Sequence, residues 1–154
     1  MKEKFKKIKN YIFSETDDAC ALCGQKGLQN LTEHHIDGEK KNNQYDNRIV
    51  LCRNCHCRFN EKKGITKNQI INVKRRLIIK TLTRFGINAL KIAKRNNYGV
   101  AAIPFLLLHL VDLGFLKQKE TISSYGDDKK GIVCDEALFE ITEKGRKLVE
   151  RWKL

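Results

Sequence analysis

His34-His35-Ile36-Asp37-Gly38, then Asn42-Asn43, Asn47, and finally Leu51-Cys52-Arg53-Asn54-Cys55-His56 is the stretch around which the chain is organised. Two adjacent imidazoles, an asparagine twelve residues on and a third imidazole fused to a Cys-x-x-Cys form a dense set of metal-ligating side chains. A second Cys-x-x-Cys, Cys20 and Cys23, lies just upstream. Three of the four histidines and five of the six cysteines fall between residues 20 and 57.

The two cysteine pairs are separated by 28 residues. Each pair has the form of a zinc knuckle, two thiolates across a tight turn, and Gly24 follows the first pair where the backbone must relax. Cys20, Cys23, Cys52 and Cys55 are therefore expected to close a tetrahedral structural zinc site with no open position. A module of about 65 residues with little apolar mass needs such a staple, and structural zinc can contribute ~10–16 kcal/mol. Cys57 sits beyond the second pair, and Cys134 is isolated and reads as a small core residue.

Between the knuckles, Leu28 to Ile36 reads as a strand and Asp37-Gly38 opens a polar loop through Lys40, Asn42 and Asn43. Arg48 to Leu51 is a second β-prone run, and from Arg53 to Glu61 the pattern turns helical. Strand, loop, strand, helix places both histidine groups at one end of a hairpin–helix unit. A short amphipathic helix over residues 2 to 13, with Phe5, Ile8 and Ile12 on one stripe, packs on that unit.

The run His34-His35-Ile36-Asp37-Gly38, Asn42-Asn43, Asn47, Leu51-Cys52-x-x-Cys55-His56 resembles the HNH endonuclease family, and the flanking cysteine pair resembles its zinc-containing branch. The likeness covers about residues 18 to 64. It implies a ββα-metal fold around one divalent ion and hydrolysis of a phosphodiester bond. Carried over by motif, His35 is the general base that takes a proton from the attacking water, a role suited to an imidazole. His34 and His56 hold the catalytic ion, with Asn60, one turn after His56, as a further oxygen ligand. Magnesium or manganese suits such a ligand set best, with zinc or nickel as other occupants. Asn47 hydrogen-bonds within the loop and orients His35. Arg48, where relatives usually carry leucine, is expected to reach a phosphate.

The formal net charge of +13, with 31 basic and 18 acidic residues, points to a polyanionic partner. From Lys62 to Val111 there are eleven Lys or Arg and no Asp or Glu. Such a one-signed block attracts phosphates through counterion release, and double-stranded DNA is the expected partner. Thr66 and Gln69 have the form of a capping box opening a helix that runs to about Phe85 and stops at Gly86, with Ile71, Ile78, Leu82 and Phe85 on its apolar stripe. A second helix spans about Asn88 to Asn96. Lys74, Arg75, Arg76, Lys80, Arg84, Lys91, Lys94 and Arg95 on these helices are the candidate DNA-backbone contacts.

A third, apolar helix is expected from Val100, and beyond Gly114 the period falls to two. Phe115 to Ile122 and Ile132 to Ile141 read as strands flanking a charge-balanced tip, Asp127-Asp128-Lys129-Lys130. Thr142 then caps a last helix bearing Leu148, Val149 and Trp152. This order, with Leu110-Val111-Asp112-Leu113-Gly114-Phe115-Leu116 and Phe139-Glu140-Ile141-Thr142-Glu143-Lys144-Gly145, is similar to a winged-helix domain. The third helix offers no group to hydrogen-bond a base edge, so packing against a second copy in a homodimer suits it better.

The expected architecture is thus α+β: an HNH unit with structural zinc over residues 1–65, then a winged-helix-like domain over 66–154. A non-catalytic, zinc-containing DNA-binding regulator is the alternative to the endonuclease. The longest apolar run, Val100 to Val111, falls short of the roughly 20 residues of a membrane span. Paired cysteines without an export signal lead to the expectation of a cytoplasmic protein.

Overall fold

A computed structural model describes residues 2–96, 99–127 and 132–154, with side chains described for 6–96, 99–123 and 135–154. The side chains of Phe5, Asp127 and Cys134 and the tip residues Asp128-Lys129-Lys130 lie outside that description. The chain is a mixed α+β fold of two compact units, residues 1–81 and 82–154.

In the first unit, helix α1 (Lys2–Ser14) buries Ile8 and Ile12. The chain then turns through Asp17 and Asp18, both at positive φ, into the first knuckle. A bridge between Ala19 and Lys26 closes that knuckle, and Gly24 at φ +73 completes its turn, donating its N–H to the Cys20 carbonyl. Strands β1 (Leu31–His35) and β2 (Arg48–Cys52) pair antiparallel with Leu31 opposite Cys52 and His35 opposite Arg48. All five residues of β2 are buried, because α1, β1 and helix α2 (Arg53–Asn60) all pack on it. The expected strand from Leu28 begins instead as a 3-10 turn, Leu28–Asn30.

Helix α3 (Lys67–Arg95) opens with the expected capping box, in which Gln69 N–H bonds Thr66 Oγ1 and Thr66 N–H bonds Gln69 Oε1. Its first turns pack Ile70 into a core with Ile36, Ile49, Leu51, Cys20, Cys52 and Cys55. The first compact unit runs to Thr81, so it includes the first half of α3, which supplies apolar mass that a small cysteine module lacks.

The same helix carries a correction. Lys74, expected at a DNA backbone, is fully buried between Ile70 and Ile78 on the inward stripe. Its Nζ lies 2.6 Å from Glu15 Oε1 and 3.9 Å from the centre of the Tyr45 ring. Tyr45 Oη donates to the other Glu15 oxygen, and Thr81 Oγ1 lies 3.5 Å from it. Burial pushes the Glu15 carboxyl up and the Lys74 amine down, each against the attraction of its partner. Arg48 is a second correction: it is buried and ion-paired to Glu33 rather than turned to a phosphate.

The expected helix end at Gly86 is a third correction. The helical path breaks at Thr83 (φ 58, ψ 164), whose Oγ1 accepts from Gly86 N–H, while Gly86 itself is helical. A side chain at Gly86 would meet His109 Nε2 at 2.9 Å, so that glycine serves close packing rather than termination. His109 Nε2 in turn lies 3.2 Å from the Leu82 carbonyl, one that the break frees from the helix ladder. Phe85, placed on the apolar stripe, is half exposed.

The second unit contains a three-stranded antiparallel sheet in the order β3-β5-β4, formed by β3 (Val100–Ala102), β4 (Leu116–Asp127) and β5 (Ile132–Ile141). The apolar segment expected to be helical from Val100 thus starts as a strand, and helix α4 (Pro104–Asp112) begins at the proline, a residue suited to a first helical turn. Val100 pairs with Phe139, which explains why β-branched and small residues precede Pro104. Helix α5 (Glu143–Trp152) is capped by Thr142 Oγ1, which accepts from Gly145 N–H at 3.1 Å, and buries Leu148, Val149 and Trp152 as expected. Among the described residues, no helix is long and apolar enough to cross a membrane.

The buried pair supports a prediction about stability. Breaking it by Lys74→Met or Glu15→Leu alone leaves one buried charge without its partner and should cost about 3–5 kcal/mol. The double replacement should cost clearly less than the sum of the two, measured as denaturant midpoints at constant m.

Candidate functional site: a cysteine cluster and a histidine group

The four cysteines of the two knuckles meet in space. The Sγ atoms of Cys20, Cys23, Cys52 and Cys55 all lie within 4.8 Å of one another, the one such group of ligating side chains found among the described residues. Cys23 and Cys52 sulfurs are 3.7 Å apart. Four sulfurs at ~2.3 Å from a tetrahedral zinc are separated by about 3.8 Å, so this donor set fits a metal such as zinc. Backbone geometry places them: Cys52 ends β2 and caps α2, its Sγ accepting from Cys55 N–H at 3.4 Å. The first knuckle is tied to the same strand, because Ala21 N–H bonds the Val50 carbonyl.

The electrostatics of the thiols also suit a bound cation. Burial opposes ionisation of Cys20, but backbone N–H groups of Cys52, Cys23 and Leu22 outweigh it and bring the thiol to about 7. At Cys55, burial and the neighbouring thiols push the group far up. Four sulfurs in one cluster do not all ionise unless a positive charge is among them, which is what a metal supplies.

The histidines form a separate group. On β1, His34 and His35 point to opposite sides of the strand. His34 is buried towards α2, where its ring makes edge contacts with His56 (centroids 5.1 Å apart) and Phe59 (4.8 Å). Its Nε2 is enclosed and has no hydrogen-bond partner. Burial first, then the imidazoles of His56 and His35, push His34 down to about 4, so near neutral pH it carries no proton charge and keeps a lone pair for a ligand. His56 is half-buried, and Asn60, exposed at the end of α2, lines a cleft with Phe59, Gly64, Ile65 and Thr66.

His35 is half-buried, with Nε2 3.1 Å from Asn43 Oδ1. Since that oxygen can only accept, the ring donates from Nε2 and leaves Nδ1 as its basic nitrogen. Asn47 was expected to orient His35, but its bonds run elsewhere. Its Oδ1 accepts from Asp37 N–H (3.2 Å), and its Nδ2 donates to Asp37 Oδ1 (2.8 Å) and the Asn42 carbonyl (3.0 Å). Asn42 Nδ2 closes the ring of bonds onto Asp37 Oδ2 at 2.6 Å. Asn47 is therefore the buried buckle of the 37–44 loop, and Asn43 is the loop residue that touches His35. Asn43 belongs to the polar turn by local pattern, but its bond to His35 is tertiary and has no sequence signal of its own.

Of the candidate DNA contacts, Arg75, Arg76, Lys80, Arg84 and Arg95 are exposed, and Lys91 and Lys94 are half-buried. Lys80 lies 3.3 Å from Asp17, and Lys94 lies 2.8 Å from Glu150. Lys74 is not among the surface cations. Comparison with protein-family models, with curated proteins and with solved structures gives no match for this chain.

Metal analysis provides the check on this site. The purified chain should hold one tightly bound zinc, and Cys52→Ser should lose both the metal and cooperative unfolding of residues 1–81. Serine can still cap α2, so the loss reports the missing thiolate ligand and should cost several kcal/mol, on the scale of structural zinc. Zinc retained at wild-type level in Cys52→Ser would rule out four-sulfur ligation.

Proposed function

We propose that the chain is a metal-dependent DNA endonuclease of the HNH type, with a C-terminal winged-helix-like domain. The observation that carries this reading is the buried, unpartnered Nε2 of His34 beside His56, one residue from a half-exposed His35 braced by Asn43. A four-cysteine structural site has no use for three histidines in this arrangement, and a purely DNA-binding regulator does not need them.

In this reading His35 accepts a proton from the attacking water at Nδ1, while Asn43 holds Nε2–H and fixes the ring. Asn47, through Asp37 and Asn42, keeps the loop that carries Asn43 in place. A divalent ion held by His34 and His56, with Asn60 as candidate third ligand, would stabilise charge on the scissile phosphate and the leaving oxygen. Zinc in the cysteine cluster would be structural.

The order β1, β2, α2 supports a ββα unit, and helix, β3, α4, then the β4–β5 hairpin supports a winged-helix-like second half. Exposed Arg75, Arg76, Arg84 and Arg95 suit double-stranded DNA backbone contact. Cutting both strands would call for two such sites, and Phe105 and Leu108, exposed on α4, suit a homodimer contact.

Supercoiled plasmid incubated with the chain and magnesium or manganese should be nicked or linearised. His35→Ala should lower the rate at least ~100-fold and Asn43→Ala about ten-fold, with binding retained. Absence of cleavage across metals, with DNA binding intact, would favour the regulator.

A further inference from the structure

Beside the cysteine cluster lies an open cavity of about 400 Å³, lined in part by Cys23 and Cys55 of the cluster and by Arg76, one of the candidate backbone contacts. It falls in the size range of ligand-binding clefts. Its polar wall consists of Arg58 from α2 and Gln69, Asn72 and Arg76 from α3, with Cys23 and Cys55 at its base; none of the lining residues is acidic.

The donors are arranged as an anion site requires. Arg58 commits Nε to the Lys63 carbonyl at 3.3 Å, which fixes the side chain and leaves its terminal nitrogens available. Gln69 Oε1 is engaged by the N–H and hydroxyl of Thr66, at 2.7 and 3.2 Å, so the amide group that remains is its NH2 donor. Asn72 contributes a further amide and Arg76 a second guanidinium, both exposed. Arginine forks and amide N–H groups match phosphate oxygens in number and geometry.

We propose that this cavity seats a backbone phosphate of double-stranded DNA, through Arg58, Arg76, Gln69 and Asn72. The seat rests on the reading of DNA as partner, and it adds to that reading a defined contact on the cysteine module itself. The bland reading is that Arg58 and Arg76 only offset the negative charge of the thiolates. That reading predicts metal loss on replacement, whereas the seat predicts loss of DNA affinity with metal retained.

Duplex binding by the full chain, followed by fluorescence anisotropy over a range of salt, decides between them. Arg58→Gln with Arg76→Gln should weaken binding by about 10–100-fold and reduce the salt slope by about 1–2. Asn72→Leu removes a donor but no charge, so it should weaken binding about five-fold with the slope unchanged. Lys147→Gln with Lys153→Gln removes the same net charge elsewhere and should change affinity little. Zinc content and thermal midpoint of each variant report folding. The seat is overturned if the arginine pair binds like wild type, if the control pair loses as much, or if the arginine variant loses zinc while its zinc-loaded fraction keeps full affinity. A wild-type chain that fails to bind duplex at low salt overturns the DNA reading itself, an outcome separate from the three that remove only the seat.

Discussion

Cys52 occupies three positions at once: last residue of β2, N-cap of α2, and member of the four-sulfur cluster. Through it, the turn from strand to helix is fixed by the same atom that a metal would bind. That turn sets where His56 stands, because His56 is the residue after Cys55 on α2. The opposing strand sets His34, since Leu31 pairs with Cys52 and the register then runs without slip to His35 opposite Arg48. A one-residue slip would exchange the inward and outward histidines. The cysteine cluster therefore does its work at a distance, by holding a register.

A second constraint, the buried trio of Glu15, Tyr45 and Lys74, acts from the other side. It joins the end of α1, the turn before β2 and the first half of α3 around one ion pair. Tyr45 precedes by two residues the Asn47 that buckles the 37–44 loop, so the pair anchors the base of the loop bearing Asn43. Buried ion pairs are poor sources of net stability but strong penalties when half removed. A charge pair here favours one packing of α3 over its alternatives, since turning any other helical face inward would leave the buried Glu15 carboxylate without its cation.

Much of the first unit was legible in sequence because its signals are local. Cys-x-x-Cys spacing, the Asp37-Gly38 turn and the β-prone run before Cys52 each act within a few residues. The capping box at Thr66 and the N-cap at Thr142 were legible for the same reason. What escaped depended on tertiary partners. Lys74 sits at the i+4 position between Ile70 and Ile78, an inward stripe readable from spacing, but its charge points to the surface in sequence and only its pairing with Glu15 accounts for its burial. The break at Thr83 was hidden because Gly86, the stronger breaker by propensity, is kept helical by His109 packing against it. The strand at Val100–Ala102 was masked by its apolarity, which fits a buried helix equally well until Pro104 fixes the helix start. At the site, the histidines and cysteines were found by type and spacing, whereas the Asn43–His35 bond arises from how the loop folds back.

The proposed endonuclease needs its histidines to stand apart from the sulfur cluster: sulfur for structure, imidazole for the proposed chemistry. Zinc-edge X-ray absorption on the purified chain tests it most directly. Four sulfur scatterers at about 2.3 Å, with no nitrogen in the first shell, is the predicted result. A mixed shell of sulfur and imidazole nitrogen would place the histidines in the structural centre and contradict the separation.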